Sequence, residues 1–266
     1  MARYWEWARL CVDLGSFPDQ AQDLLQSRVI RLVPEILLLL TANDQYLLHS
    51  LFELIRDGET ARLKKLTTSG RRRFLPVIPD ILAGAAMKLE TLAGRLSSPQ
   101  VKAIITRLAS TEDPRLRQLT VFDAVHISGM DPEVVAGALT KLETVSNNLS
   151  WNLSAGQVSA LVSRICQAPV LGLSELYLYG QDLSLVPPGL LTGAIQRLEV
   201  AEFMCKGKMA AEQVTAILTL AKEDRLGRIK RIRIFYIDGR RFVCSSLIKE
   251  ARLNTKLEWS ALISLE

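Results

Sequence analysis

The chain has 266 residues, of which 48% are hydrophobic and 23% are charged, and its net charge is +5. This composition supports a packed core and excludes extended disorder. The small excess of basic residues permits contact with nucleic acid or an acidic surface, but it identifies neither as a partner.

Residues 1–30 do not fit the pattern of the rest of the chain, and we interpret them as an N-terminal cap. Their apolar side chains predict a plug over a first strand near Leu32–Leu37, because the end of a repeat array needs cover. These side chains are Tyr4, Trp5, Trp7, Ala8, Leu10 and Val12.

The sequence also bears on the cellular location of the protein. No apolar signal segment follows Met1, and the longest apolar run, Ile36–Leu40, is too short to span a bilayer. The cysteines lie far apart in the sequence, as is typical of reduced thiols. We therefore expect no membrane contact and a cytoplasmic location, with the nucleus as the alternative.

An internal repeat begins after the cap. Its first pattern is a pair of aliphatic residues three positions apart. The copies ending at Leu66, Leu119, Leu176 and Ile232 follow one another at intervals of 53, 57 and 56 residues. A second pattern alternates with the first and carries Glu90, Glu143 and Glu199. Residues 31–266 are thus predicted to form about eight to nine half-repeats.

Single residues between these patterns recur as well. Prolines, glycines and glutamines each occupy matching positions in three copies. They are Pro79, Pro132 and Pro188; Gly84, Gly137 and Gly193; and Gln100, Gln157 and Gln213. This recurrence indicates a tandem of two half-repeats, each roughly 26–31 residues long.

Each half-repeat is predicted to form a strand, a turn and an amphipathic helix, which makes the chain an α/β protein. Leu176 and Leu178 alternate with Glu175, Tyr177 and Tyr179, so the leucines should point into the core. Stacking such units predicts a solenoid in the shape of a horseshoe, with a parallel sheet on the concave face and helices on the convex face.

Polar residues mark the predicted helix starts. Ser154 stands three residues before Gln157, which is the spacing of a capping box, and Ser97 begins a second one. Asp131 predicts an N-cap that is followed by Pro132 at the first helical position.

The Leu-x-x-Leu-x-Leu strands, with helices in repeats near 28 residues, resemble leucine-rich repeats of the ribonuclease-inhibitor-like type over roughly residues 30–265. Residues 3–8, Arg-Tyr-Trp-Glu-Trp-Ala, resemble the segment after an F-box in F-box/leucine-rich-repeat proteins. Those proteins are substrate adaptors of ubiquitin ligases, so this resemblance implies a partner protein that is delivered for ubiquitination.

The strand positions that point away from the core should form columns on the concave face. The columns are Ser69, Phe122, Tyr179 and Phe235; Thr67, Thr120, Tyr177 and Arg233; and Lys65, Gln118, Glu175 and Arg231. Aromatic residues and arginines are typical anchors of protein interfaces. We therefore expect a protein partner bound by Phe122, Glu175, Tyr177, Tyr179, Arg231, Arg233 and Phe235.

Two basic clusters support an alternative, nucleic-acid binding. One is residues 71–73, and the other is Arg228, Lys230, Arg231, Arg233, Arg240 and Arg241 in the last repeat. With Phe235 and Tyr236, the second cluster has the composition to bind phosphates and stack bases, although a solvated basic face has the same composition.

Motifs of catalysis are lacking from the sequence. It contains no GxSxG, Walker-type loop, GxGxxG or HExxH motif, and its two histidines are His49 and His126. We expect a protein that is not an enzyme and that uses no metal and no cofactor.

Overall fold

The structure, a computed structural model, is that of an α/β protein with parallel strands. It describes residues 9–13, 23, 31–39, 45–69, 77–122, 125–147, 151–169, 171–181, 183, 185–205, 211–223, 225, 227–236 and 257–261. The chain divides into two compact units, Met1–Ile127 and Ser128–Glu266, here called the N-terminal unit and the C-terminal unit.

In the N-terminal unit, strands and helices alternate from the second strand to the fifth. The described elements are β1 (Arg9–Asp13), β2 (Glu35–Leu39), α1 (Gln45–Arg56), β3 (Lys65–Ser69), α2 (Pro79–Ala86), β4 (Thr91–Gly94), α3 (Ser98–Ser110), β5 (Gln118–Val121) and β6 (Val125–His126). Strands β1 to β5 pair in chain order, each parallel to the next. Helices α1 to α3 also contact one another in chain order, so each strand–helix segment lies against the one before it.

The C-terminal unit repeats this arrangement. Its described elements are α4 (Pro132–Leu139), β7 (Thr144–Asn147), β8 (Trp151–Asn152), α5 (Ala155–Gln167), β9 (Glu175–Gln181), α6 (Pro188–Arg197), β10 (Val200–Cys205), α7 (Ala211–Lys222), β11 (Arg231–Tyr236) and β12 (Leu257–Ala261). Strands β7, β9, β10, β11 and β12 pair in that order and in parallel. Helices α4 to α7 contact one another in chain order.

The repeated aliphatic residues form the core, as predicted. Leu66, Leu119, Leu176 and Ile232 are at most 5% exposed, and Leu178 is 1% exposed. The apolar sides of the helices are buried as well, for example along α3 and α5. Burial of both sets places the core between the strands and the helices.

The strand predicted near Leu32–Leu37 is β2, and it begins slightly later than predicted, at Glu35. Leu32 lies in the turn that precedes β2, and its side chain is 39% exposed. Leu10 and Val12 of the predicted cap lie in β1, in register with β2. Tyr4, Trp5, Trp7 and Ala8 lie outside the described residues. The division at Ile127 falls inside the predicted array, and the cap boundary after residue 30 stays a prediction.

The predicted helix caps are confirmed. The Ser154 backbone N–H donates to Gln157 Oε1 at 2.9 Å, and the Gln157 N–H donates to Ser154 Oγ at 3.2 Å. The Ser97 N–H makes the corresponding bond to its own glutamine at 3.0 Å. The Asp131 carboxylate accepts the N–H groups of the two residues after Pro132. These bonds satisfy amide donors that a helix start otherwise leaves without partners.

The recurring glutamines also bind α3, α5 and α7 to the half-repeat that precedes each of them. All three are buried, at 0–1% exposure. Gln100 Nε2 donates to Val77 O at 2.9 Å, and Gln157 Nε2 donates to Met130 O at 2.9 Å. Gln213 Nε2 donates to Leu183 O and Val186 O. In each case an acceptor lies two residues before the proline that starts the preceding short helix. The side-chain amide therefore holds the loop that leads into that helix.

The recurring glycines permit close helix contacts. A Cβ at Gly193 would lie 2.6 Å from Cys166 Sγ on α5, and a Cβ at Gly84 would lie 2.9 Å from Arg56 Cγ on α1. A Cβ at Gly137 would lie 3.6 Å from Arg164, which is an ordinary contact. Two of the three positions thus exclude a side chain because a neighbouring helix occupies the space.

We expect Gln157→Ala to lower the free energy of unfolding by about 1–3 kcal/mol, because Met130 O and the Ser154 N–H would each lose a partner in a buried setting. Urea denaturation followed by circular dichroism measures the change. Gln167→Ala is the matched control, since Gln167 is an exposed glutamine on the same helix. Equal effects of the two substitutions would contradict a role for the buried amide.

Gly193→Ala should destabilise the chain by about 1–3 kcal/mol, the cost of overpacking a helix contact. Gly189→Ala, on the same helix with no atom within 4 Å of its added Cβ, should leave stability equal or higher. Adding Cys166→Ala should recover part of the loss at Gly193, because the clashing sulfur is removed. Additive effects in this double-mutant cycle would show that the two residues do not press on each other.

Candidate functional site

Backbone carbonyls just before the strands fix the register of the C-terminal unit. Glu143 O accepts the N–H groups of Ser174 and Glu175 at 2.8 and 3.1 Å, and Ser174 O accepts those of Glu199 and Val200 at 2.8 and 3.2 Å. A one-residue slip would turn every side chain to the opposite face of the sheet. These paired bonds therefore decide which side chains face away from the core.

The register brings most of the predicted site together on three strands. Across β9, β10 and β11 the rows are Glu175, Val200 and Arg231; Tyr177, Glu202 and Arg233; and Tyr179, Met204 and Phe235. Their neighbours Leu176, Leu178, Ala201 and Phe203 are buried, whereas Glu175, Tyr177 and Val200 at the alternate positions are partly exposed. We call the side of the sheet that these alternate positions share the open face.

Strand β10 was missing from the predicted site. The sequence columns joined only strands of the first repeat pattern, whereas the sheet of the C-terminal unit places β10, a strand of the second pattern, between β9 and β11. Val200, Glu202 and Met204 therefore separate the predicted residues of β9 from those of β11. The sequence did contain a signal for this arrangement, because the two patterns alternate along the chain. Strands that pair in chain order must then alternate between the two patterns across the sheet as well.

Phe122 lies in the N-terminal unit. It follows β5, its side chain is 49% exposed, and its N–H donates to Gly94 O at 3.0 Å. Two predicted columns of this unit are also interrupted by an intervening strand: Ala93 lies between Thr67 and Thr120, and Thr91 lies between Lys65 and Gln118.

The best-defined contacts on the open face surround Glu175. Tyr177 Oη donates to Glu175 Oε2 at 3.0 Å, and Thr144 Oγ1 of β7 lies 3.5 Å from the same oxygen. Glu175, Tyr177 and Thr144 are all partly exposed. The carboxylate thus links β7 to β9 and holds the hydroxyl end of the tyrosine ring in place.

Glu202 is the one acidic residue of the described side chains that is buried on this face. It is 5% exposed and stands in register with Tyr177. The side chains of Tyr179, Arg231, Arg233 and Phe235 lie outside the described part of the structure, which gives only their strand positions.

The basic residues of the last repeat are partly paired. Glu199 contacts Lys230 Nζ at 2.6 Å and Arg228 at 3.3 Å. The hydrogen bond from Lys230 contributes most to holding the pKa of the Glu199 carboxyl below its ordinary value. Residues 71–73, Arg240 and Arg241 of the predicted basic clusters lie outside the described residues. Arg228 and Lys230, the members of the second cluster whose side chains are described, are thus both engaged by a carboxylate of the same chain.

The recurring glutamates lie on the edge of the sheet where the strands begin. Glu90 contacts Lys64 at 3.3 Å and Arg115 at 3.7 Å. Like Glu199, it thus forms ion pairs with two basic side chains of neighbouring half-repeats. Glu143, at the matching position, is exposed and has no ion-pair partner among the described residues.

Because the pKa of Glu199 is lowered by folding, its ion pairs should stabilise the chain above the ordinary pKa of 4.5 and lose this effect as the pH falls through the folded value. The urea midpoint should therefore fall less between about pH 6 and about pH 3 in Glu199→Gln than in the wild type. The difference should shrink in high salt, since the pair is exposed. Glu143→Gln is the control, and an equal response from both variants would contradict the assignment.

The described residues carry few other functional signals. They include no helix long and apolar enough to cross a membrane and no group of three or more His, Cys, Asp or Glu residues arranged to hold a metal ion. The chain matches no protein-family model, and no curated protein is detectably similar to it. The interpretation of the site therefore rests on its own chemistry.

Proposed function

We propose that the chain is a leucine-rich-repeat solenoid of the ribonuclease-inhibitor-like type that binds a partner protein without catalysing a reaction. Parallel strands that pair in chain order, helices that contact in chain order and buried aliphatic residues at the repeat positions support the fold. In such a fold the open face is concave, and an extended concave surface suits protein recognition.

The single observation that carries the function is the register of β9, β10 and β11. It aligns the strand positions of the predicted residues across β9 and β11: Glu175 with Arg231, Tyr177 with Arg233, and Tyr179 with Phe235. Aromatic residues and arginines concentrate at the energetic centres of interfaces, because they bury a large area and form directional bonds. The substrate-adaptor role is the narrower form of this proposal, and it comes from residues 3–8, which lie outside the described part. A cytoplasmic location belongs to the same proposal.

The test is affinity capture from a native lysate with wild type and with the double variant Tyr177→Ser/Tyr179→Ser, after circular dichroism has shown that both fold. A partner that binds the wild type through these anchors should be recovered at least about tenfold less with the variant, as expected for residues at the centre of an interface. Quantitative mass spectrometry of the captured proteins measures this ratio.

Leu185→Ser is the matched control, because it removes an apolar side chain that is 67% exposed and lies on a loop of the same unit. It should leave recovery unchanged. Equal recovery with the double variant would reject the open face as the binding surface. Recovery that nuclease abolishes and that falls steeply with salt would instead favour nucleic-acid binding by the basic repeat.

A further inference from the structure

We infer that the partner presents a cationic side chain, an arginine or a lysine, to the open face at Glu175 and Tyr177. The inference rests on the proposed protein-binding function and specifies the chemistry of the bound partner. It begins with the acceptor capacity of Glu175. Both of its hydrogen bonds end on Oε2, and Thr144 and Tyr177 are its only side-chain partners among the described residues.

The second oxygen of this carboxylate is therefore available on a partly exposed surface. An ionised carboxylate accepts through two oxygens and pairs readily with the two parallel N–H groups of a guanidinium. Tyr177 Oη lies 3.0 Å from Oε2, so a cation bound at Oε1 comes close to the tyrosine hydroxyl.

The residues that flank Glu175 on the neighbouring strands do not oppose such a cation. Thr144 and Val200 stand in register with Glu175, and both are uncharged.

A uniformly anionic partner such as nucleic acid would meet like charge at Glu175. The contacts of Glu175 therefore favour a protein segment that carries a basic residue.

The experiment uses the full chain with labelled tyrosine and two probes, blocked arginine and its neutral analogue, blocked citrulline. The chain has five tyrosines, and the spectrum of Tyr177→Phe assigns the Tyr177 resonance. Blocked arginine should shift this resonance in a saturable manner, and citrulline should not. Binding occurs against a chain charge of +5, so general attraction between protein and probe does not explain a shift.

Glu175→Gln keeps an acceptor for the tyrosine hydroxyl but removes the charge, and it should weaken arginine binding about two- to fivefold, the effect of an exposed ion pair. Glu143→Gln removes an exposed glutamate elsewhere in the unit and should not change it. Equal shifts from citrulline and arginine, no shift at all, or equal affinities of Glu175→Gln and the wild type would each overturn the inference.

The capture experiment distinguishes failure of the cation contact from failure of the proposed protein-binding function. A partner that is lost with Tyr177→Ser/Tyr179→Ser, in a protein whose Tyr177 does not respond to arginine, leaves protein binding in place and removes the cation contact. An arginine response that requires Glu175, in a protein that captures no partner through the tyrosines, establishes the contact and removes the proposed protein-binding role.

Discussion

The buried glutamine at the start of α3, α5 and α7 is the interaction on which the rest of the architecture depends. One amide side chain closes the cap of its own helix through Oε1 and holds the loop of the preceding half-repeat through Nε2, as Gln157 does with Ser154 and Met130. A buried amide with all its bonds made is stabilising, whereas one with a missing bond is costly. The geometry of the half-repeats that contain α3, α5 and α7 is thereby tied to that of the half-repeat before each of them.

This tie has consequences for the sheet. Because a helix is held against the preceding loop, the strand that follows it starts level with its neighbour in the sheet. The paired backbone bonds to Glu143 O and Ser174 O then set the register of the strands. Degenerate strand positions are tolerated for the same reason. Gly94 and Ala201 are poor strand formers, yet both lie in paired strands, because neighbours on either side fix the backbone.

The open face shows how a regular fold acquires specific chemistry. Its buried neighbours are apolar and belong to the repeat pattern, but the residues of the open face itself do not repeat. Glu175 occupies the position that Lys65 and Gln118 hold in the N-terminal unit. Tyr177 and Glu202 occupy the positions that Thr120 and Ala93 hold there. Packing constrains the core side of each strand, while the other side is free to vary and to carry recognition.

The sequence alone determined the α/β class, the strand–helix alternation, the aliphatic core and the caps at Ser154 and Asp131. These features follow from periodicity and from contacts within a few residues. It also identified Glu175 and Tyr177 as residues that point away from the core.

Only the tertiary structure decided that β10 lies between β9 and β11, that Glu202 is buried beside Tyr177, and that the tyrosine hydroxyl is bound by Glu175. Neighbours across a parallel sheet are about thirty residues apart in the chain, and the bonds that set their register are made between backbone groups that every residue carries. Side-chain patterns therefore locate the strands, but the backbone bonds between strands decide which side chains meet.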